Sequence, residues 1–564
     1  MTTPTTATAT PPAAPAAATT PVAALAEEAV AVIAAEDPLD DALEGCPEIV
    51  GRLADPSEEA QCALRERASL LAARAERAPV ADAGEEVTRA VVVQQARAVA
   101  DRLGTRLVEH TVADYQTSPV GRLLGSLPEV RPAGEEQERG HLERLAGVPE
   151  YLARAAERHR AGLAAGRLPV AERVRTAVAR LDAYLADPDG DPLRAVPLGE
   201  RHHAERDRLI DERVRPAFAA YRDVLARELA PRGRPQERPG LCHLPDGEEH
   251  YTTLARVHTT TDRSPKELHD VGVELLARLE EEYGRLGAQA FGGSPTAAEV
   301  RERLRSDVRL RWSGAGEMLS AARTAIARAE LAAPRRFGRL PAAACVLDGR
   351  DVPGAPQAWY MPAALDGSRP GTYHANTERA TERSRVLAEA TTFHEAVPGH
   401  HVQLSLAQEL TGLPRLRRIA WINAYIEGWG LYAERLADEM GLYSGPPARL
   451  GMLAMDSLRA ARLVVDTGLH HFGWGRERAV GFLREHTVLA DVEIQNETDR
   501  YIEWPGQALS YMTGRLEIQR LRSRAARELG PAFDIRAFHD LVLGHGSLPL
   551  DVLDRVVARW TTAR

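Results

Sequence analysis

The sequence predicts a mainly α-helical protein that carries one small β-hairpin. First, apolar residues recur at intervals of three and four over residues 22–238, which is typical of amphipathic helices. Second, Ser264-Pro265-Lys266-Glu267 is a helix start, with proline at the first position and glutamate completing a capping box. Third, residues 358–362 and 372–376 are short strand-like segments separated by a turn-rich passage. With 564 residues, the chain is long enough for several helical layers or two lobes around a cleft.

The chain divides by composition into a tail and two regions. Residues 1–21 are mostly Thr, Pro and Ala, without the basic and apolar segments of a signal peptide, so we expect a disordered tail. Residues 22–238 are expected to form a helical region, in which residues 170–181 are a clear amphipathic helix. The Pro/Gly-rich passage 231–240 marks the strongest boundary, and residues 239–564 follow it. We expect both regions to form one compact unit.

Charge and composition exclude several classes of protein. The net charge of −10 lacks the basic excess of a nucleic-acid-binding protein, so we expect no nucleic-acid partner. No apolar run approaches the roughly 18 residues that span a bilayer, so we expect no membrane partner and a cytoplasmic location. The single lysine, Lys266, lies in the helix start described above, which argues against pyridoxal phosphate and P-loop chemistry. The cysteines show no Cys-x-x-Cys pairing and are expected to be buried free thiols: Cys46, Cys62, Cys242 and Cys345.

The predicted hairpin comes shortly before the segment with the strongest chemical signal. A strand edge beside that segment could hold an extended peptide by backbone hydrogen bonds, and we expect Tyr373 to contact substrate there. An ordinary connecting hairpin is the alternative.

The segment His394-Glu395-Ala396-Val397-Pro398-Gly399-His400-His401 ends an apolar helical run. Neutral imidazole is a preferred zinc ligand, and an adjacent carboxylate such as Glu395 is the usual general base for a metal-activated water. Surface histidines at a polar helix end are the alternative interpretation. The concentration of metal-competent side chains favours a metal site.

The spacing of these histidines differs from the usual helical zinc motif. In H-E-x-x-H the histidines stand at i and i+4 on one helix face, whereas Pro398 occupies i+4 here. On a straight helix, His400 and His401 would lie about 9 Å and about 10.5 Å along the axis from His394, too far to share an ion. Pro398-Gly399 is where the helix can kink, and absorbing two residues there would return His400 to i+4. We therefore favour His400 as the second ligand, with His401 as the alternative.

A third ligand is expected on the mostly apolar helix of residues 419–434. It carries Glu427 and Glu434, and a carboxylate in such a helix needs a cationic partner. Glu427 is the preferred ligand because the neighbouring Gly428 permits close approach. A salt-bridged glutamate is the alternative.

Several motifs together resemble the bacterial family known as domain of unknown function 885, which is zincin-like. They cover the chain from about Tyr251 onwards and comprise residues 394–400, 427–434, 461–470, 500–511, 533–540 and 546–550. The resemblance implies a large helical fold similar to the helical zinc carboxypeptidases and oligopeptidases, with a deep cleft and the small hairpin beside the metal helix.

The resemblance also implies the roles of the site residues. His394 and His400 match the two metal histidines, Glu395 matches the general base, and Glu427 matches the downstream glutamate ligand. The expected function is that of a hydrolase with one zinc ion, a peptidase, carboxypeptidase or amidohydrolase, acting on small peptides or amides.

Further residues are expected to act on the substrate. His470, Tyr501 and Tyr511 are candidates to stabilise an oxyanion, and Arg462 or Arg500 could hold a substrate carboxylate in a bidentate pair. Of these, we assign His470, Arg500 and Tyr511 as catalytic, and Arg462 and Tyr501 as substrate-binding.

Two other classes of function stay open. Two histidines and a carboxylate also make the facial triad of non-haem iron enzymes, so a lyase, cyclase or oxygenase of a biosynthetic pathway is the first alternative. Iron or manganese would then replace zinc. A metal-free binding or scaffold protein is the second alternative.

Overall fold

The computed structural model describes residues 20–43, 51–113, 117–352 and 356–563, and it confirms the mainly α fold with one small sheet. The helices of the first half are α1 (Pro21–Glu36), α2 (Pro38–Leu43), α3 (Glu58–Arg77), α4 (Ala83–Gly104), α5 (Pro119–Gly121), α6 (Glu135–Ala164), α7 (Ala171–Ala186), α8 (His203–Leu209), α9 (Arg215–Val224), α10 (Gly247–Thr259) and α11 (Pro265–Phe291). Those of the second half are α12 (Ala297–Ser306), α13 (Ala315–Ala332), α14 (Ala388–Glu395), α15 (His400–Glu409), α16 (Arg415–Ile419), α17 (Asn423–Glu439), α18 (Pro446–His470), α19 (Arg476–His486), α20 (Asp491–Glu503), α21 (Ser510–Leu529), α22 (Ile535–Leu543) and α23 (Leu550–Thr562). Short 3₁₀ and π turns connect several of them.

Local sequence signals place several helices as predicted. The helix expected at residues 170–181 is α7, and α11 begins at Pro265 as the first helical residue. The capping box forms, because Ser264 Oγ accepts from Glu267 N at 3.3 Å and Glu267 Oε2 accepts from Ser264 N at 2.8 Å. The predicted tail lies outside the described residues as far as residue 19, and α1 already begins at Pro21, capped by the Thr20 side chain.

The predicted hairpin is part of a three-stranded sheet with the order β1-β3-β2. Strands β2 (Ala358–Met361) and β3 (Thr372–Asn376) pair antiparallel, with Tyr360 opposite Tyr373, as predicted. Strand β1 (Val346–Arg350) was not predicted and pairs parallel with β3. Because β3 is the central strand, its backbone is paired on both sides, and an edge open to an extended chain belongs to β1 or β2.

Three hydrophobic clusters organise the described residues. The first joins α1, α3 and α4 to the sheet and to α14, α15, α17 and α21–α23. The second joins α10–α12 to α18–α20, and the third is built from α6–α9 and their neighbours. Residues from both predicted regions therefore share the first cluster. The domain boundary proposed at 231–240 stays a prediction.

Close helix crossings position the elements that carry the predicted site. At the crossing of α17 and α21, a Cβ on Gly428 would lie 2.5 Å from Gly514 Cα, so glycine is needed for the two backbones to approach. At the crossing of α11 and α18, a Cβ on Gly272 would lie 2.7 Å from Val464 Cγ2.

In the described ranges, no helix combines the length and apolar character needed to cross a membrane.

Candidate metal centre

The predicted kink between the histidines is a complete break of the helix. Helix α14 ends at Glu395, four residues form a turn, and α15 begins at His400. A Cβ on Gly399 would lie 1.8 Å from the carbonyl oxygen of His394, so only glycine fits this turn. On α17, Trp429 Nε1 donates to the carbonyl of Pro398 at 3.0 Å and holds the turn in place. The break brings two histidines on different helices to one point.

His394, His400 and Glu427 form a compact, mostly buried cluster. Nε2 of His394 and Nε2 of His400 each lie 3.6 Å from Glu427 Oε2. The three ligand atoms all lie within 4.8 Å of one another, and the two rings are nearly perpendicular at 85°. The structure thus brings together the three side chains that were predicted as metal ligands.

His401 points away from this cluster. Its Nδ1 lies 3.0 Å from Tyr360 Oη on β2, and its Nε2 lies 3.0 Å from the carbonyl oxygen of Ala343. Both ring nitrogens have partners outside the cluster, so the geometry groups His400 with His394 and Glu427.

Hydrogen bonds behind the cluster orient its two histidines. Glu434 Oε1 lies 2.8 Å from His394 Nδ1, and Gln403 Oε1 lies 3.3 Å from His400 Nδ1. Gln403 in turn donates to the carbonyl of Tyr425 at 3.2 Å. When each ring is neutral and donates its Nδ1–H to this partner, its Nε2 lone pair faces the cluster, the usual arrangement behind metal-bound histidines. In the sequence, Glu434 is only an alternative to Glu427 as a ligand, and Gln403 carries no signal of its role.

The electrostatics of the cluster suit a cation. Burial lowers the pKa of His394, but hydrogen bonds to Glu427 and Glu434 outweigh burial and raise its pKa to about 9. Burial raises the pKa of Glu427, but hydrogen bonds from the two histidines hold that pKa far below its usual range. The buried carboxylate of Glu427 therefore stays charged, and a proton on His394 balances its charge. A divalent ion can replace that proton.

Gly430 explains why the His394 ring can lie against α17. A Cβ at this position would lie 2.6 Å from His394 Cε1 and 2.7 Å from His394 Nε2. Together with Gly428 at the α21 crossing, it accounts for both glycines that follow Glu427 in the sequence.

Glu395, the predicted base, follows directly after His394 and is partly exposed. Its carboxylate forms no hydrogen bond or ion pair with any described residue. The predicted substrate-contacting Tyr373 lies within range of its charge but is buried, with its hydroxyl 3.4 Å from Thr392 Oγ1. Burial raises the pKa of Tyr373.

The predicted arginine clamps converge on a carboxylate that sequence reasoning did not identify. Arg462 donates to Glu497 Oε2 through Nε at 3.1 Å and Nη2 at 2.7 Å. Arg500 donates to Glu497 through Nε at 3.3 Å and Nη2 at 3.1 Å, and to Gln507 Oε1 through Nη1 at 2.7 Å. Tyr501, fully buried, also donates to Glu497. The three predicted residues thus form one network around Glu497.

Tyr511 lies between this network and the metal cluster. It stands three residues before Gly514, which abuts Gly428 beside Glu427. The Arg462 guanidinium lies 4.6 Å from the centre of its ring. Burial, followed by the charge of Glu427, raises the pKa of Tyr511, so its hydroxyl stays a hydrogen-bond donor at neutral pH.

His470 is held apart from the cluster by backbone contacts. Leu241 N donates to its Nδ1 at 3.1 Å, and its Nε2 lies 2.9 Å from the carbonyl oxygen of Tyr501. Burial lowers its pKa to about 3. Both nitrogens of this neutral ring are engaged, so the arrangement ties α18 to its neighbours and leaves no nitrogen for a substrate.

Comparison with known proteins identifies a matching family and two similar structures. A family model for bacterial proteins of unknown function, DUF885, matches residues 38–557. A crystal structure of a candidate lipoprotein from Colwellia psychrerythraea is similar to this chain, with a TM-score of 0.88 and 26% identity over 96% of this chain and 99% of that chain. A candidate lipoprotein of unknown function from Shewanella oneidensis has a TM-score of 0.74 and 17% identity over 95% and 99% of the two chains, and shows the fold alone. No curated protein matches the chain.

Proposed function

We propose that this chain, which belongs to the DUF885 family of bacterial proteins, is a zincin-like, zinc-dependent hydrolase of small peptides or amides. The observation that carries the proposal is the convergence of His394, His400 and Glu427 beside Glu395, a carboxylate without a described partner. Each member of this group has a distinct chemical task, and all of them come from two segments close in sequence.

The donor set fits a zinc ion. Zinc binds imidazole nitrogen and carboxylate oxygen at about 2.0–2.2 Å, so two ligands of a tetrahedral ion stand about 3.3 Å apart. Each Nε2 is already 3.6 Å from Glu427 Oε2, and the ligand atoms span no more than 4.8 Å. Two histidines and one glutamate leave a fourth position for water or substrate, as in catalytic zinc sites.

The residues around the cluster have different roles in the proposed hydrolysis. A zinc ion at this position would polarise the substrate carbonyl and lower the pKa of a bound water. Glu395 accepts the proton of the attacking water and passes it to the leaving amine. Tyr511, beside Glu427, donates a hydrogen bond to the oxygen that becomes negative. Glu434 holds the His394 ring in the tautomer and orientation that the cluster needs.

The experiment separates ligands from base. Protein purified without added metal is analysed for metal content, and hydrolysis is assayed with dipeptides and N-acylated amino acids. We expect one zinc per chain in the wild type and in Glu395→Gln, and none in His394→Ala or Glu427→Ala. Only the wild type should hydrolyse substrate, because the Glu395 variant lacks the proton acceptor. His471→Ala, a histidine outside the cluster, is the matched control and should behave as the wild type.

Other outcomes would redirect the proposal. A metal-free Glu395→Gln protein would contradict its role as base. Zinc-loaded wild type without turnover on these substrates would contradict hydrolysis, and stoichiometric iron would favour the non-hydrolytic facial-triad enzymes. A small-molecule or short-peptide substrate and a cytoplasmic location stay predictions.

A further inference from the structure

Arg459 on α18 is a buried arginine without a counter-charge among the described residues. It is only 7% exposed, and its Nη1 contacts the sulfur of Met455 at 3.2 Å. Its Nε is buried and has no hydrogen-bond partner, and the side chain forms no ion pair with any described residue. Because a buried, unpaired charge is costly, such a guanidinium is suited to receive an anion.

The free edge of Arg459 has the geometry that binds a carboxylate. The Nε–H and Nη2–H bonds of a guanidinium are parallel and match the two oxygens of a carboxylate. In Arg462 and Arg500, Glu497 occupies this edge. In Arg459, no described residue accepts from Nε or Nη2. Of these three arginines, Arg459 is therefore the one with a free bidentate edge.

Arg459 lies one aromatic ring away from the metal cluster. Its guanidinium carbon is 5.5 Å from the centre of the Tyr511 ring. Tyr511 in turn stands beside Glu427, because α21 and α17 touch at Gly514 and Gly428. The Tyr511 ring therefore lies between Arg459 and the helix crossing beside Glu427.

The helix turn that carries Arg459 is fixed from two sides. Asp456, three residues earlier on α18, accepts from Arg435 Nε of α17 at 2.6 Å. Arg515 of α21 donates to the other oxygen of the same carboxylate. These pairs lock α18 against the helices that carry Glu427 and Tyr511, so the guanidinium is positioned before a ligand arrives.

We propose that Arg459 binds the carboxylate of a substrate whose scissile amide lies at the metal cluster. The proposal rests on the hydrolase function proposed above and narrows its substrates to short peptides and N-acylated amino acids with a free carboxylate. It assigns to Arg459 the task that the sequence suggested for Arg462 or Arg500.

Binding without turnover tests the proposal directly. Zinc-loaded Glu395→Gln protein is titrated by calorimetry with alanyl-alanine and with its C-terminal amide. We expect the acid to bind about tenfold or more tightly than the amide, because charge-assisted hydrogen bonds contribute that much. Adding Arg459→Gln should bring the ratio of the two affinities, acid over amide, close to one. Arg459→Lys in its place should restore part of the preference for the acid. Arg449→Gln, on the same helix and paired with Asp438, is the matched control and should keep the ratio.

The possible failures are distinguishable. Equal binding of acid and amide by the Glu395→Gln protein, or no binding of either, overturns carboxylate recognition. An acid preference that survives Arg459→Gln overturns the assignment to Arg459. If the preference for the acid depends on Arg459 but the wild type hydrolyses none of the substrates, the binding site is supported. Only the hydrolase function is then contradicted. Metal content and thermal unfolding are measured on every variant and identify any loss of binding that is due to misfolding. If Arg459→Gln misfolds, the Arg459→Lys variant tests whether the acid preference depends on Arg459.

Discussion

Gly430→Ala should weaken metal binding although it removes no ligand. Added to this buried glycine, a Cβ would stand 2.6 Å from His394 Cε1, 2.7 Å from Nε2 and 2.9 Å from Nδ1. Ordinary contacts of a Cβ begin near 3.4 Å, so the imidazole must retreat by roughly 0.8 Å. Zinc–nitrogen bonds tolerate about 0.2 Å, and the retreat also strains the hydrogen bond from His394 to Glu434.

The expected loss follows from these distances. Disturbing the support of a metal-bound histidine costs about ten- to a hundredfold in affinity, or about 1.4–2.8 kcal/mol. The assay is a competition titration of zinc against a chelating dye, with circular dichroism as a check on folding. Gly481→Ala is the control, because a Cβ there meets no atom within 4 Å. A folded Gly430→Ala protein with wild-type zinc affinity would refute the placement of His394 at the metal.

Three further outcomes are expected. His400→Ala should lose bound zinc and His401→Ala should keep it, and the reverse result in metal analysis would move the second ligand to His401. Glu434→Gln should keep zinc but bind it about tenfold or more weakly in the same competition titration, since it removes the charge behind His394; unchanged affinity would contradict this role. Burial raises the pKa of Glu503 to about 7 from its usual 4.5, so the folded state keeps a proton that the unfolded state loses as pH rises between these values. The free energy of unfolding should therefore fall by on the order of 3 kcal/mol over that window and then level off. In the Glu503→Gln variant, the free energy of unfolding from urea titrations should differ much less between pH 5 and pH 8. An unchanged difference would mean that other groups cause the pH dependence.

The convergence of His394 and His400 could be predicted because the signal for it is local in sequence. His394, Glu395 and His400 lie within seven residues, and the Pro-Gly pair between them indicates a break in the helix. Glu427 stood out as a carboxylate in an apolar helix. The supporting side chains gave weaker signals, because a glutamine such as Gln403 is common on any helix surface.

Pairings between distant segments could not be predicted. The bond of Arg462 to Glu497 depends on how α18 meets α20, which no local spacing reveals, whereas Arg500 and Glu497 stand three residues apart on α20. The same holds for His470, whose partners are backbone atoms of two remote segments. Strand β1 was missed because it contains Asp348, Gly349 and Arg350, and its parallel pairing gives no turn signal.

With the proposed ion, the broken helix between His394 and His400 would make metal supply a factor in the stability of the whole chain. In an unbroken helix, two histidine ligands move as one rigid body, and an ion bound to them adds little to tertiary structure. Here an ion would join the end of α14, the start of α15 and the middle of α17, three segments of the largest hydrophobic cluster. By mass action, free metal at a thousand times its dissociation constant would add about 4 kcal/mol to the free energy of unfolding. The midpoint of thermal unfolding would then report the metal concentration around the protein.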